Sequence, residues 1–199
     1  MAIIVEHEKR RKEILKKALD VFVDEGFEDA TFQKIADRCG ITRTTLYTYF
    51  KNKKDIFNYS IKLLMAKVEE DIQQIKADTS LASVEKITNV LHNIFYQLEE
   101  NRRLLSVILD YLLHLSRNDG DPERRIRQRT IRLRRFLASM VIEGAQKGDL
   151  EVVNIKIAVD SLYSLLEAAI FQLVVLRRKT IGDLRKAAAF TVSRLDAAP

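Results

Sequence analysis

Apolar residues recur every three or four positions along nearly all of this 199-residue chain, and no run shows the alternation of two that a half-buried strand requires. Such spacing lays one apolar stripe on each of a series of helices, so the expected fold is all-α. Only 6 Gly and 2 Pro punctuate the pattern, which makes each break between helices legible on its own terms. About nine helices result. The chain is long enough for one large domain or two small ones, and its 47% hydrophobic content supplies ample core.

The first helix is expected from about Glu8 to Glu25, with Ile14, Leu15, Ala18, Leu19, Phe22 and Val23 on its inner face and Gly26 stopping it. Thr31 can cap a second helix through its hydroxyl, although Lys34 stands where a capping box would place an acid. Gly40 closes that helix, Ile41 plugs the core, and Thr42 caps a third helix from Arg43 to Phe50. The turn is then Cys39, Gly40 and Ile41, and it needs a residue tolerant of positive φ together with a small residue, Ala36, where the helices cross. This is the spacing of a helix-turn-helix. Asn52 caps a fourth helix with Asp55 at its third position, and the N-terminus carrying Lys53 and Lys54 suits a phosphate.

Charge sharpens this reading. The net charge is +6, yet residues 1 to 30 are slightly acidic, whereas Thr31 to Lys54 holds Lys34, Arg38, Arg43, Lys51, Lys53 and Lys54 against Asp37 alone, a local excess of 6 − 1 = +5. A second basic block, Arg124 to Arg135, lies far along the chain and reads equally as a solvated helix face, so its role stays open.

The segment resembles the DNA-binding domain of the TetR family of bacterial transcriptional regulators. The residues that carry the resemblance are Gly26, Thr31, Ile35, Ala36, Gly40, Ile41, Thr42, Thr45, Leu46, Tyr47, Tyr49, Phe50, Lys51, Asn52, Lys53, Asp55 and Ile56, without gaps over about a quarter of the chain. The resemblance implies a DNA-binding surface made of Thr31, Gln33, Thr42, Arg43, Thr44, Thr45, Tyr47, Tyr49 and Lys53. Arg43 has the planar fork that grips guanine O6 and N7, Thr44 and Thr45 can reach bases or phosphates, and the Gln33 amide suits adenine. Thr31, Tyr47, Tyr49 and Lys53 resemble backbone clamps, which fix register without reading sequence. Thr48 stands where the family often has His, and Thr44 where it often has a small residue, so the family's sequence preferences do not carry over.

Residues 1–54 are thus expected to form the reading head, and residues 55–199 a helical ligand-binding and dimerisation domain, with a connector helix from about 53 to 77 joining them. A fifth helix carries Ile87, Val90, Leu91, Ile94, Phe95 and Leu98 inside. A sixth, Leu104 to Leu115, is apolar nearly all round and is expected at the centre of the core. After a loop from Ser116 to Gly120, Asp121 caps the seventh helix, with Pro122 at its first position and Ile126, Leu133, Leu137, Met140 and Val141 inside. Asn154 opens the eighth, to about Arg178, and Thr180 with Asp183 makes a box-like start for the ninth, to about Leu195.

The last two helices have more apolar surface than one face needs and resemble the family's dimer-forming pair. Their expected interface residues are Leu162, Leu166, Ala169, Ile170 and Leu173 on the eighth and Ile181, Leu184, Ala188, Thr191 and Leu195 on the ninth. A homodimer places two heads on half-sites about one helical turn apart, ~34–36 Å, of a near-palindromic operator. A pocket for a small-molecule effector is expected among helices five to eight, with His92, Tyr96, Tyr111, His114, Tyr163, Glu167 and Gln172 as polar candidates. Its chemistry is left open by the residues.

Other classes fit less well. One Cys excludes an intrachain disulfide and a Cys-rich metal site, and suits a reducing cytoplasm. The start has apolar residues ahead of basic ones, the reverse of a signal peptide, and the longest apolar stretch, Leu162 to Leu176, is interrupted by Glu167 and Gln172, so neither export nor a membrane partner is expected. His7, His92 and His114 are scattered, and no Gly-rich phosphate loop, metal-ligand pair or nucleophile with a matched base is present, so no catalytic residue, metal or cofactor is expected. The favoured reading is a homodimeric repressor released from its operator by an effector. The alternatives are a helical carrier or enzyme with a vestigial helix-turn-helix, or a regulator that activates.

Overall fold

The structure is a computed structural model that describes residues 2–117, 122–152 and 154–197. Among them are nine helices and no strand: α1 (Ala2–Asp29), α2 (Phe32–Cys39), α3 (Arg43–Tyr49), α4 (Lys53–Ala77), α5 (Ser83–Glu100), α6 (Arg102–Arg117), α7 (Pro122–Lys147), α8 (Ile155–Val174) and α9 (Gly182–Ser193). The all-α architecture follows the periodicity. The helices form two compact units, Met1–Glu69 with Ser106–Tyr111, and Glu70–Leu105 with Leu112–Pro199.

In the first unit, α1 begins well ahead of the expected Glu8 and is broken at Gly26, whose φ of 82° and ψ of 171° are open to glycine alone. Ile14, Leu15, Ala18, Val21 and Phe22 are buried on its inner face, which packs on α2, where Ile35 and Ala36 are buried. Phe22, Phe27, Phe57 and Tyr111 form one aromatic cluster, with Phe22 edge-on to Phe57 at 4.8 Å and Tyr111 4.3 Å from Phe27. The buried Ser60 hydroxyl donates to the Leu15 carbonyl at 2.8 Å, so this interior hydroxyl has a partner.

The second unit packs α5, α7, α8 and α9. α5 packs on α7, α8 and α9, and the buried residues are Ile87, Val90, Leu91 and Phe95 on α5, Leu137, Met140 and Val141 on α7, Leu162, Leu166 and Ala169 on α8, and Ala188 and Val192 on α9. An antiparallel bridge pairs Leu150 with Asp196, the Glu151 N–H donating to the Leu195 carbonyl at 2.9 Å.

Several expectations need correction. α6 is not surrounded: Leu104, Val107 and Tyr111 are buried, but Leu109 is exposed and Leu113 is 49% exposed, so the helix has one inner face and not a central position. It also runs on to Arg117, past the loop expected from Ser116. The Gly120 and Asp121 positions, and the side chains of Arg124, Arg125 and Ile126, lie outside the described residues. α8 stops at Val174, ahead of Arg178. α9 has no Thr180–Asp183 box: its cap position is Ile181, which offers no side-chain acceptor. At 20 residues, α8 is long and apolar enough to match a membrane span despite Glu167 and Gln172. Its inner stripe, Leu162, Leu166, Ala169 and Leu173, is buried in the second unit, while Ile157, Ile170 and Phe171 are exposed.

Candidate nucleic-acid interface

The two short helices of the first unit are fixed at their ends by their own side chains. Thr31 Oγ1 accepts the Lys34 N–H at 3.2 Å, opening α2. Gly40 closes it in the left-handed region (φ 67°, ψ 37°), and the Ile41 N–H returns to the Ala36 carbonyl at 3.1 Å. Thr42 Oγ1 accepts the Thr45 N–H at 3.1 Å and opens α3. Asn52 Oδ1 accepts the Asp55 N–H at 2.8 Å and opens α4. Each capping side chain satisfies a backbone donor that the first helical turn leaves orphaned. Phe50 lies just past α3 as its C-terminal cap residue and is buried with Leu46, so α3 has one inner edge and a free outer face.

That outer face carries Arg43, Thr44, Tyr47 and Thr48, all exposed. Arg43 Nη2 donates to the Tyr47 hydroxyl at 3.2 Å, and the guanidinium lies 5.6 Å from the centre of the Tyr47 ring. Tyr47 in turn stacks on Phe32 of α2 at 4.5 Å, which supports the whole pair from beneath. The Thr45 hydroxyl is committed to Thr42 at 2.8 Å, so this residue serves the cap first. Gln33 is exposed, with its amide donating to Asp37 at 2.7 Å. Thr31 and Thr42 are likewise exposed while they cap.

The basic excess of the segment is not all available to a partner. Lys34 is paired with Glu25 at 2.6 Å and Arg38 with Asp24 at 3.1 Å, so two of its six cations tie α2 to the acidic end of α1. Lys53 donates to the Glu28 carbonyl at 2.8 Å, with its ammonium 4.7 Å from the centre of the Phe27 ring. Arg43, Lys51 and Lys54 stand exposed at the rim. Cys39 is buried, and that burial pushes its thiol pKa up, as expected of a small interior residue and not of a nucleophile.

Two supporting residues escaped the sequence reading. His7 stacks on Tyr49 at 4.5 Å with 19° between the rings, and the Arg11 guanidinium lies 4.5 Å from the centre of the Tyr59 ring and 5.3 Å from that of Phe50. The signal was weak because the first helix was expected to start at Glu8, which left His7 outside it.

The other expected sites are not assembled. Of the effector candidates, Tyr111 belongs to the aromatic cluster of the first unit, and Tyr163 is buried with its hydroxyl 3.0 Å from Thr130 and its ring under Arg134. His92, Tyr96, His114 and Glu167 are exposed, Tyr96 by 52%. Gln172 accepts from Arg178 at 3.4 Å. None lines either hollow found in the second unit. One is an open groove of about 550 Å³ between Glu85, Asp149 and Asp196, and the other a space of about 10 Å³ beside Lys76, Lys86 and Glu143. Among the described residues no group of His, Cys, Asp and Glu could hold a metal ion. Of the basic block, Arg127, Arg129, Arg132 and Arg135 are exposed, and Arg134 pairs with Asp160 at 2.8 Å.

The expected interface residues also divide. Leu162, Leu166, Ala169, Leu173, Ile181 and Ala188 are interior to the second unit, and Leu184, Thr191 and Leu195 are half-buried; only Ile170 faces out. The exposed apolar side chains of this region also include ones not expected at an interface: Ile155, Ile157 (64%), Phe171 (53%), Val175, Leu176 and Phe190 (59%).

A capped α2–turn–α3 corner presenting an arginine, threonines and braced tyrosines on an all-helical scaffold defines a helix-turn-helix protein. Residues 14–59 match the profile of bacterial regulatory proteins of the tetR family. The chain is 31% identical over 103 residues to the transcriptional regulator PksA of Bacillus subtilis, a match covering 52% of this chain and 50% of that one. The fold is similar to a TetR transcription regulator from Haloarcula marismortui (TM-score 0.80, 18% identity, 95% and 99% of the two chains). It is also similar to FadR of Bacillus subtilis in complex with stearoyl-CoA (TM-score 0.68, 22% identity, 94% and 98%). The helix-turn-helix segment thus matches the tetR family over residues 14–59, and the fold of the chain is similar to that of TetR-family regulators.

Proposed function

We propose that the protein is a DNA-binding transcriptional regulator that acts as a homodimeric repressor on a near-palindromic operator and is released by a small-molecule effector. The observation that carries this reading is the outer face of α3, where Arg43 is exposed and steadied by Tyr47 above a fixed Thr42 cap. In this reading Arg43, Thr44 and Gln33 read base edges. Thr31, Tyr47, Tyr49 and Lys53 hold the backbone, while Thr42 and Thr45 anchor the helix. For Gln33 and Lys53, engagement means exchanging their contacts with Asp37 and Glu28 for DNA. The basic rim makes affinity fall steeply with salt as phosphate contacts release counterions.

Dimerisation is assigned to the exposed apolar residues of α8, the segment after it, and α9: Ile170, Phe171, Val175, Leu176 and Phe190. Large side chains exposed in one unit gain most from a second copy. In this reading the effector is bound within the second unit, whose open groove beside Glu85, Asp149 and Asp196 has about 550 Å³. The FadR structure makes a long-chain acyl thioester the first effector to try. The test is native mass spectrometry of the protein with stearoyl-CoA, followed by operator binding with and without it. One ligand per protomer and a weakened operator complex support the reading; binding without any effect on DNA opposes effector release.

A further inference from the structure

The two tyrosines assigned to the DNA backbone are each held by a flat ring, but from different places. Tyr47 rests on Phe32, within the segment that the family profile matches, at 4.5 Å and 22°. Tyr49 rests on His7, seven residues ahead of that segment, at 4.5 Å and 19°. Both pairs are close to parallel, so each tyrosine ring is confined to a plane and its hydroxyl to an arc. The half-buried Tyr49 sits at the last position of α3, where the helix gives way to the extended Phe50 and its own backbone restrains the side chain least. One turn further along α1, Arg11 spans Phe50 and Tyr59, so the same helix also grips the residue that follows.

We propose that His7 is a positioning residue for DNA binding: by stacking on Tyr49 it sets the plane of that ring, so that the phenol meets the DNA backbone already oriented. The N-terminal turns of α1 are then part of the reading head. The inference rests on the DNA-binding reading above. His7 needs no contact with DNA to act in this way, and any flat ring at its position does the same work.

The test compares wild type, His7→Ala, His7→Phe, Tyr49→Ala and the His7→Ala/Tyr49→Ala double variant on one duplex recovered from a random pool by selection on the wild-type protein. Helix content and thermal unfolding confirm that each variant is folded. His7→Ala is expected to weaken binding about three- to tenfold, the worth of one stacked pair. His7→Phe is expected to restore affinity to within about twofold, and the double variant to bind no more weakly than Tyr49→Ala. Three results overturn the inference: wild-type affinity in His7→Ala, no rescue by His7→Phe, or an undiminished loss from His7→Ala when Tyr49 is already gone. If the wild-type protein itself enriches no duplex, the DNA-binding reading falls and this inference with it. Failure of the variants alone leaves that reading intact.

Discussion

Glu99 at the end of α5 accepts the backbone N–H of Ile181 at 2.8 Å and so supplies, from another helix, the acceptor that α9 lacks at its own start. Its second carboxylate oxygen pairs with Arg185, one turn into α9. Both side chains are largely shielded, which makes this pair stronger than the exposed ion pairs elsewhere on the chain. Glu99→Ala leaves a donor and a guanidinium short of partners and is expected to lower stability by about 1–3 kcal/mol. Glu99→Gln keeps an acceptor for Ile181 and should lose less. Urea unfolding followed by circular dichroism measures both; equal losses would show that the Ile181 bond contributes nothing.

Gly144 in α7 faces Leu150 so closely that a Cβ there would lie 2.5 Å from Leu150 Cδ1 and 2.9 Å from Ser83 Cβ. Ala in place of Gly inside a helix normally stabilises by about 1 kcal/mol. Here overpacking wins, since Leu150 is itself buried and its side chain has little room to retreat. Gly144→Ala is expected to destabilise by about 1–3 kcal/mol. A variant more stable than wild type in thermal unfolding would show that the Leu150 side chain moves aside freely.

Phe171 and Phe190 distinguish surface from core on α8 and α9. If the proposed dimer forms, the wild type is expected to sediment as a dimer and Phe190→Asp or Phe171→Asp as a folded monomer at the same concentration. Leu162→Ala, by contrast, removes a fully buried side chain and is expected to cost about 2–5 kcal/mol of stability. A dimer that survives both aspartates would place the interface elsewhere.

The helices themselves were legible because their punctuation is local: Thr31, Gly40, Thr42 and Asn52 cap in the structure as their chemistry suggests. Which face of a helix meets which neighbour was less so. In α8 the periodicity correctly marked Leu162, Leu166 and Ala169 as one stripe, but a stripe buried against its own chain and one buried against a second copy have the same pattern. The polar candidates for a pocket are ambiguous for a related reason: Tyr96 and Glu167 are exposed, and an apolar helix with a single outward acid reads like one with an inward acid. Glu99's cap on α9 and His7's stack on Tyr49 join residues 82 and 42 positions apart (181 − 99 and 49 − 7), a separation that no local spacing reveals.

The most direct test of the reading head is selection of bound DNA from a random pool by wild type and Arg43→Ala, at moderate salt. The wild type is expected to enrich a near-palindrome with half-sites about one helical turn apart, and Arg43→Ala to lose about 1–3 kcal/mol of discrimination at one position in each half. A pool that stays unenriched, or the same motif recovered equally well by Arg43→Ala, would contradict the assignment of α3 as the helix that reads DNA.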